Sequence, residues 1–503
     1  MELLEHLATG FGVALSGVNI LYCFLGVLLG TLIGVLPGIG PVPTIAMLLP
    51  ITYSLSPVSA LIMLAGIYYG AQYGGSTTSI LVNLPGESSS VVTCLDGYQM
   101  ARQGRAGAAL AVAAIGSFIA GSVATVILAG FAPPLAEVAL QFGSEEYFSL
   151  MVLGLIAAVV LAHGSVLKAV AMIVLGLLLG IVGTDVNSGM ARFSFGVPEL
   201  TDGFGFVVVA MGVFGFAEII TNLEREYGGA REVFLEKIGG LWLKWKDFKE
   251  AFPAMARGTL LGSALGILPG GGALISSFAS YTLEKKVAKD PSRFGRGAIQ
   301  GVAGPESANN AGAQTSFIPL LTLGIPSNAV MALMVGAMTI HNIQPGPQVM
   351  SGNPQLFWGL IASMWIGNAM LVLLNLPLIG IWVKLLSVPY RLLYPAILLF
   401  MAIGSYSINN DTWDVFMTVV FGVVGYVFVK LECEPAPLVL GFILGPMMEE
   451  NLRRAMLLSR GDPTVFFTRP ISLAMLVLAL ALLVIVTLPN IRKKREEAFA
   501  AEG

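Results

Sequence analysis

Three apolar runs, Ala108 to Ala132, Val166 to Val182 and Ile471 to Leu488, each approach the ~20 residues that carry a helix across a bilayer. In hydrocarbon every backbone N–H and C=O must find its partner within the segment, so such runs leave little open to the chain except helices. Composition agrees. Of 503 residues, 56% are hydrophobic and 11% charged, with mean hydropathy +0.82, whereas soluble domains carry about 25% charged residues. The expected fold class is an all-α polytopic membrane protein with no separate soluble domain.

Several function classes are disfavoured at this level. A net charge of −3 lacks the basic face that nucleic acid requires. Cys23, Cys94 and Cys433 have no metal-ligand spacing, and neither a disulfide framework nor a zinc site is expected. His6, His163 and His341 share no motif, and no paired-Asp, Ser/His or HExxH constellation points to an enzyme. The N-terminus, MELLEHLATG, has no positive n-region, so the first apolar segment is expected to remain in the mature chain.

Within this apolar sequence, residues 34 to 40 read GVLPGIG, and GILPGGG recurs at 266 to 272. A second pair follows in the same order: GGSTTSILVNLPG from Gly74 is echoed by AQTSFIPLLTLGIP from Ala313, with Thr78-Ser79 answering Thr315-Ser316. A weaker pair sets Glu218–Arg225 against Glu449–Arg454. The pattern predicts two related halves: residues 1–225, with a tip at 36–41 and a polar motif at 74–87, and residues 257–455, with a tip at 268–272 and a polar motif at 304–328. A polar linker, 226–256, joins them, and residues 456–503 hold a last span and tail.

Lysine and arginine set the orientation. No basic residue precedes Arg102, so the joint PITYSLSP at 50 to 57 is uncharged, while the matching joint carries Lys285, Lys286, Lys289, Arg293 and Arg296. The next joint reverses the bias, with Arg102 and Arg105 in one half and nothing basic from Gly297 to Val383 in the other. Positive loops stay cytoplasmic, so the halves are expected to be inverted in the membrane and the linker cytoplasmic. The segment between Arg257 and Lys285 then has to enter the bilayer and return, as two half-helices meeting at a glycine tip. Counting crossings onward puts Arg453, Arg454, Arg460 and Arg469 outside, against the charge rule.

Broken helices at membrane depth need a cavity or protein around them, and half-helix N-termini aimed into such a cavity suit an anion. The expected substrate contacts are Gly38, Gly40, Ser76, Thr77, Thr78, Ser79 and Asn83 in one half. In the other they are Gly270, Gly271, Gly272, Asn310, Thr315, Ser316, Ser327 and Asn328, with Gln314 nearby. Freed carbonyls suit a small cation, for which Gly38, Asn83, Gly271, Glu306 and Asn309 are the expected ligands. A lone Pro-Gly is ordinarily a helix kink, and Ser or Thr ordinarily bonds its own backbone. Clustering at a break, twice, is what favours a site. Among ionisable residues, Glu306 in GPESANNAGAQTS reads as part of an unwound polar segment, Glu87 follows the second motif, and Asp96 reads as a helix cap or a partner of Arg102.

At these residues the sequence resembles a known family. GVLPGIGP, YYGAQYGGSTTSILVNLPGESSSVVTCLDGYQMARQGRAGAAL, GILPGGG and GPESANNAGAQTSFIPLLTLGIPSNAVMALMVGAM are similar to the large membrane subunit of the tripartite tricarboxylate transporters, the TctA family. The resemblance implies a permease of the bacterial or archaeal inner membrane that imports carboxylates such as citrate on a cation gradient. It also implies two partners, a small membrane subunit and a periplasmic solute-binding protein; a homodimer is left open. With no Lys or Arg in the proposed core, Na⁺ is expected as the coupling ion in preference to H⁺. Alternating access by an elevator-like movement of the hairpins is expected. The scaffold would comprise spans near 108–132, 148–162, 166–182, 204–220, 357–381, 392–406, 413–429, 438–448 and 471–488. The alternatives are an anion-selective channel, or a permease for another small carboxylate that needs no binding protein.

Overall fold

The computed structural model describes residues 2–36, 40–162, 165–185, 188–227, 240–241, 243–268, 272–386 and 390–487. Helices dominate, and one short antiparallel ribbon pairs Gly183–Thr184 with Ala191–Arg192. Five described helices are long and apolar enough to cross a membrane: Gly17–Val35, Ala101–Ala139, Phe206–Glu224, Pro354–Asn375 and Thr412–Lys430. The chain is an all-α polytopic membrane protein.

The first helices are α1 (Glu2–Ala14), α2 (Gly17–Val35), α3 (Pro41–Thr52) and α4 (Pro57–Val82). Ser16 and Ser56 cap α2 and α4 by accepting the N–H groups of Asn19 and Ser59, and Pro57 opens α4 with a preset φ. Then α2 stops at the LPG motif, and α3 restarts after Gly40, whose φ of +65° glycine adopts without strain. There follow α5 (Ala106–Ala139), α6 (Ser144–Leu161), α7 (Val166–Gly180) and α8 (Phe206–Glu224).

The second break is built alike. The helix α9 (Trp245–Gly266) ends at the second LPG motif, and α10 (Gly272–Val287) restarts on Gly272 with φ +39°. Next come α11 (Gln300–Thr315), α12 (Phe317–Leu323), α13 (Ala329–Ile340), α14 (Pro354–Asn375) and α15 (Tyr390–Asn409). The last are α16 (Thr412–Lys430), α17 (Pro435–Leu458) and α18 (Pro470–Thr487). The apolar runs of the sequence fall mainly on these helices, the 357–381 run passing beyond the end of α14 at Asn375. The helix α9 begins at Trp245, within the polar stretch 226–256 taken as linker.

Two helix pairs form the centre, α2 on α4 and α9 on α11, and both approach through glycine. A Cβ on Gly30 would stand 2.8 Å from the Cα of Ile67, and one on Gly262 would stand 2.7 Å from the Cα of Ala308. Gly26, Gly30 and Gly34 recur as Gly258, Gly262 and Gly266, at the same offset as the two LPG motifs. Such small-residue rows let backbones meet and gain dispersion contact where lipid offers no hydrophobic drive. Both α4 and α11 are buried on all sides over most of their length.

Arg257 on α9 and Glu284 on α10, placed on either side of the break, form a two-pronged pair (Nε–Oε1 2.7 Å, Nη2–Oε2 2.6 Å), so these two arms run antiparallel. The first break opens differently: α3 packs on α4, α15 and the π-helical turn Met211–Phe216 within α8 more than along α2.

Ion pairs sort to two ends of the molecule. One end holds Arg105–Asp247, Arg293–Glu250 and Lys430–Glu224, and there Lys168 also donates to the Leu431 carbonyl. The other holds Arg453–Asp185, Arg192–Glu449 and Arg469–Glu145. Of the four arginines that break the charge rule, Arg453 and Arg469 therefore sit at the end opposite Lys430, each beside a carboxylate, and Arg454 pairs with Glu450.

Candidate functional site

Between the two breaks lies a cavity of about 190 Å³, many times the ~10–15 Å³ that admits one water. Besides α17, whose start at 434–437 lines it, three helices begin at its wall. They are α3 at Pro41, α10 at Gly272 and α13 at Ala329, joined by the short turn Ser88–Ser90. The unbonded N–H groups and positive dipole end of each helix start make this wall attractive to anions. Tyr68, Glu87, Ser88, Ser89 and Asn328 supply polar side chains, Glu434 faces it from the start of α17, and among the described residues no lysine or arginine lines it.

Asn328 does two things. Its Oδ1 caps α13 by accepting the Met331 N–H at 3.0 Å, while its Nδ2 is buried near the Tyr68 hydroxyl with no well-aligned hydrogen bond among the described residues. A Cβ on Gly272 would lie 3.3 Å from that Nδ2, so the glycine opens room beside it.

Glu87 reaches the cavity from the opposite side. Its carboxylate accepts the backbone N–H of Ser89 at 3.1 Å, the Ser89 hydroxyl and, more weakly at 3.4 Å, the Asn309 amide of α11. Its chain thus bridges the two halves.

The remaining expected site residues distribute as follows. Gly38, Gly270 and Gly271 lie outside the described residues. Gly40 ends the first break, one residue before the cavity-lining Pro41. Ser76 donates to Glu306 at 2.5 Å, and Thr93 donates to the same carboxylate. Thr77 bonds the Tyr73 carbonyl and lines a much smaller void of about 10 Å³ beside Ser117 and Asn375. Thr78 bonds the Val35 carbonyl at 2.8 Å, satisfying the last turn of α2, and Ser79 bonds Ser90.

In the second half Asn310 donates to Ser117 at 2.7 Å, Thr315 to the Ala311 carbonyl and Ser316 to the Ala313 carbonyl. Ser327 donates to the Ser316 carbonyl. Asn83 closes α4 in a left-handed conformation, φ +55°, and is exposed. Of the expected contacts, then, Gly272 and Asn328 line this cavity; the hydroxyls and Asn310 mostly bond to helix backbone or to neighbouring helices around it.

Two expectations need correction. Glu306 is not on an unwound segment: it lies inside α11, fully buried, one residue after a proline that the helix accommodates. Burial on every side holds α11 helical against the poor propensities of Pro, Ser and Asn. Asp96 does not pair with Arg102 in any described contact. It accepts the N–H groups of Gly297 and Ala298, both at 2.8 Å, and the Tyr281 hydroxyl at 3.0 Å. Asp96 therefore ties down the loop ahead of α11, across the two halves, and is not the cap of that helix, whose N-cap Ile299 takes no side-chain bond.

Outside the spans, burial alone would push the Glu250 carboxyl up, but hydrogen bonds from Arg293 and Gln300 outweigh it and hold the carboxyl below the usual range. Sequence reasoning passed over Glu87 and Tyr68 as cavity residues. The signal for Glu87 was present, a carboxylate directly after a Pro-Gly at the end of the polar motif.

Comparison with known proteins bears on all of this. A relative from Agrobacterium vitis, described as an uncharacterized 52.8 kDa protein in the TAR-I ttuC' 3'region, is 62% identical over 502 residues and covers 100% of both chains. A second, an uncharacterized protein in the TAR-II ttuC' 3'region of the same organism, is 61% identical over 241 residues, 48% of this chain and 100% of its own. No solved structure gives a significant match. Residues 20–440 match the profile described as the tripartite tricarboxylate transporter TctA family, and the chain belongs to that family of transporter subunits.

Proposed function

We propose that this chain is the permease subunit of a three-part carboxylate importer in a bacterial or archaeal cytoplasmic membrane, with tricarboxylates such as citrate as the substrate class. The observation that carries the reading is the cavity where helix N-termini converge with no basic side chain among the described residues that line it. Backbone N–H groups can hold carboxylates there by charge-assisted hydrogen bonds, and no fixed arginine has to release them at each turnover. A periplasmic binding protein would deliver substrate to the end that holds Asp185 and Arg453, and the small membrane subunit would complete the assembly. The Lys430 end, which also receives the Arg105 and Arg293 pairs, is the cytoplasmic one in this reading.

The two glycine-packed pairs, α2/α4 and α9/α11, are in this reading the cores of two inverted repeats, with each LPG break the tip of a re-entrant hairpin. A unit holding both tips moves against α5–α8 and α14–α18 in an elevator-like step, coupled to Na⁺. The test is uptake of radiolabelled citrate into vesicles containing the chain with its small subunit and binding protein, with and without a Na⁺ gradient. Saturable, gradient-dependent uptake supports the reading. Unsaturable flux independent of any gradient overturns it in favour of a channel.

A further inference from the structure

We infer that Glu87 binds the coupling Na⁺ at the wall of the central cavity, so that cation and substrate carboxylate bind side by side. This rests on the transport reading above. The cavity presents a conflict that a cation resolves: three helix starts draw an anion, yet a carboxylate stands in the same wall. Two like charges brought together in a low-dielectric site repel strongly unless a positive charge sits between them. Among the described residues no lysine or arginine lines the cavity to play that part.

The partners of Glu87 fix the nature of the cation. The Ser89 backbone N–H and the Asn309 amide are donors that cannot reverse and suit a charged carboxylate, while the Ser89 hydroxyl can take either role. The other buried carboxylate, Glu306 on α11 one turn before Asn309, is held only by the hydroxyls of Ser76 and Thr93, which can reverse, and it does not line the cavity. Asn309 adds an independent sign. It is fully buried, its Nδ2 faces Glu87, and its Oδ1 has no protein partner, which leaves one more hard oxygen on the same amide.

A carboxylate that merely caps the Ser88–Ser90 turn would behave differently, and the experiment separates the two. Thermal unfolding of the purified full chain is followed in choline chloride and on titration with NaCl, for the wild type, Glu87→Gln and Glu306→Gln. The expected result is a midpoint that rises saturably with Na⁺ in the wild type and in Glu306→Gln but stays flat in Glu87→Gln. Should Glu87→Gln not fold, Glu87→Asp keeps the charge one methylene short and is expected to raise the half-saturating Na⁺ concentration about tenfold. An unchanged Na⁺ response in either Glu87 variant, or no Na⁺ response in the wild type, overturns the inference. Citrate uptake by the wild type, measured separately, tells failure of this inference from failure of the transport reading itself.

Discussion

Arg257 and Glu284 face each other across the mouth of the α9/α10 arm pair through two hydrogen bonds of 2.7 and 2.6 Å, and the Glu284 side chain is only 1% exposed. Removing the guanidinium would leave a buried carboxylate with no counter-charge. Because Arg257 is itself 40% exposed, Arg257→Ala is expected to cost about 1–2 kcal/mol rather than the ~3–5 of a wholly buried pair. The double variant Arg257→Ala/Glu284→Gln is expected to recover part of the loss, which a double-mutant cycle on thermal unfolding would measure. Additive losses would mean that the pair does not hold the arms together.

The glycine rows predict a sharp contrast between positions. Gly30→Ala places a methyl against the Cα atoms of Ile67 and Gly70, at 2.8 and 2.9 Å, and neither backbone can step aside without separating α2 from α4. Overpacking of this kind costs about 1–3 kcal/mol or more. Gly12→Ala, on α1 with nothing within 4 Å, is expected to stabilise by about 0.5–1 kcal/mol through helix propensity. Yield of folded protein and the unfolding midpoint read both.

The same positions show what was legible in sequence. The spans were, because an apolar run of bilayer length has one fate: the 413–429 run lies in α16 and the 108–132 run in α5. The breaks were, because Pro and Gly interrupt helices wherever they cluster, and the chain stops at Val35 and Gly266 and restarts at Pro41 and Gly272. The recurrence of Gly26, Gly30 and Gly34 was hard to see against sixty glycines, most of which pack nothing so closely. Which carboxylate faces the cavity was not legible at all. Glu87 and Glu306 both follow proline in polar motifs, and only helix rotation and tertiary packing turn one toward the cavity and the other toward Ser76 and Thr93.

Asp96 is a stability residue by its contacts, since it satisfies two backbone N–H groups just ahead of α11. Asp96→Ala orphans both and is expected to cost about 2–3 kcal/mol, while Asp96→Asn keeps one acceptor oxygen and should lose less. The KM for citrate in whichever variants fold is expected to stay at the wild-type value. A raised KM with an unchanged unfolding midpoint would instead put Asp96 in the transport site.

The Arg293–Glu250 contact sets a pH dependence. The Glu250 carboxyl sits below its ordinary value of 4.5 in the folded chain, so its contribution is fully present above that value and disappears as pH falls through the lower, folded one. Glu250→Gln is therefore expected to unfold at a slightly lower temperature than the wild type at pH 7, with the difference closing as the pH drops below about 4.5. A difference that persists in acid would assign the effect to the Gln300 contact or to packing rather than to charge.

Asn328 offers the most direct test of an anion site, because its two ends can be separated chemically. Asn328→Asp retains an oxygen to accept the Met331 N–H, so the cap on α13 survives, but it replaces the Nδ2 with negative charge at the wall proposed to hold carboxylates. The unfolding midpoint is expected to hold, while KM for citrate rises at least about tenfold, the equivalent of ~1.4 kcal/mol of lost binding. Asn328→Ala removes the cap as well, and is expected to lower stability by about 1 kcal/mol with a smaller effect on KM. If Asn328→Asp transports citrate with unchanged KM, the anion does not sit at the start of α13, and the remaining candidates are the helix starts at Pro41 and Gly272.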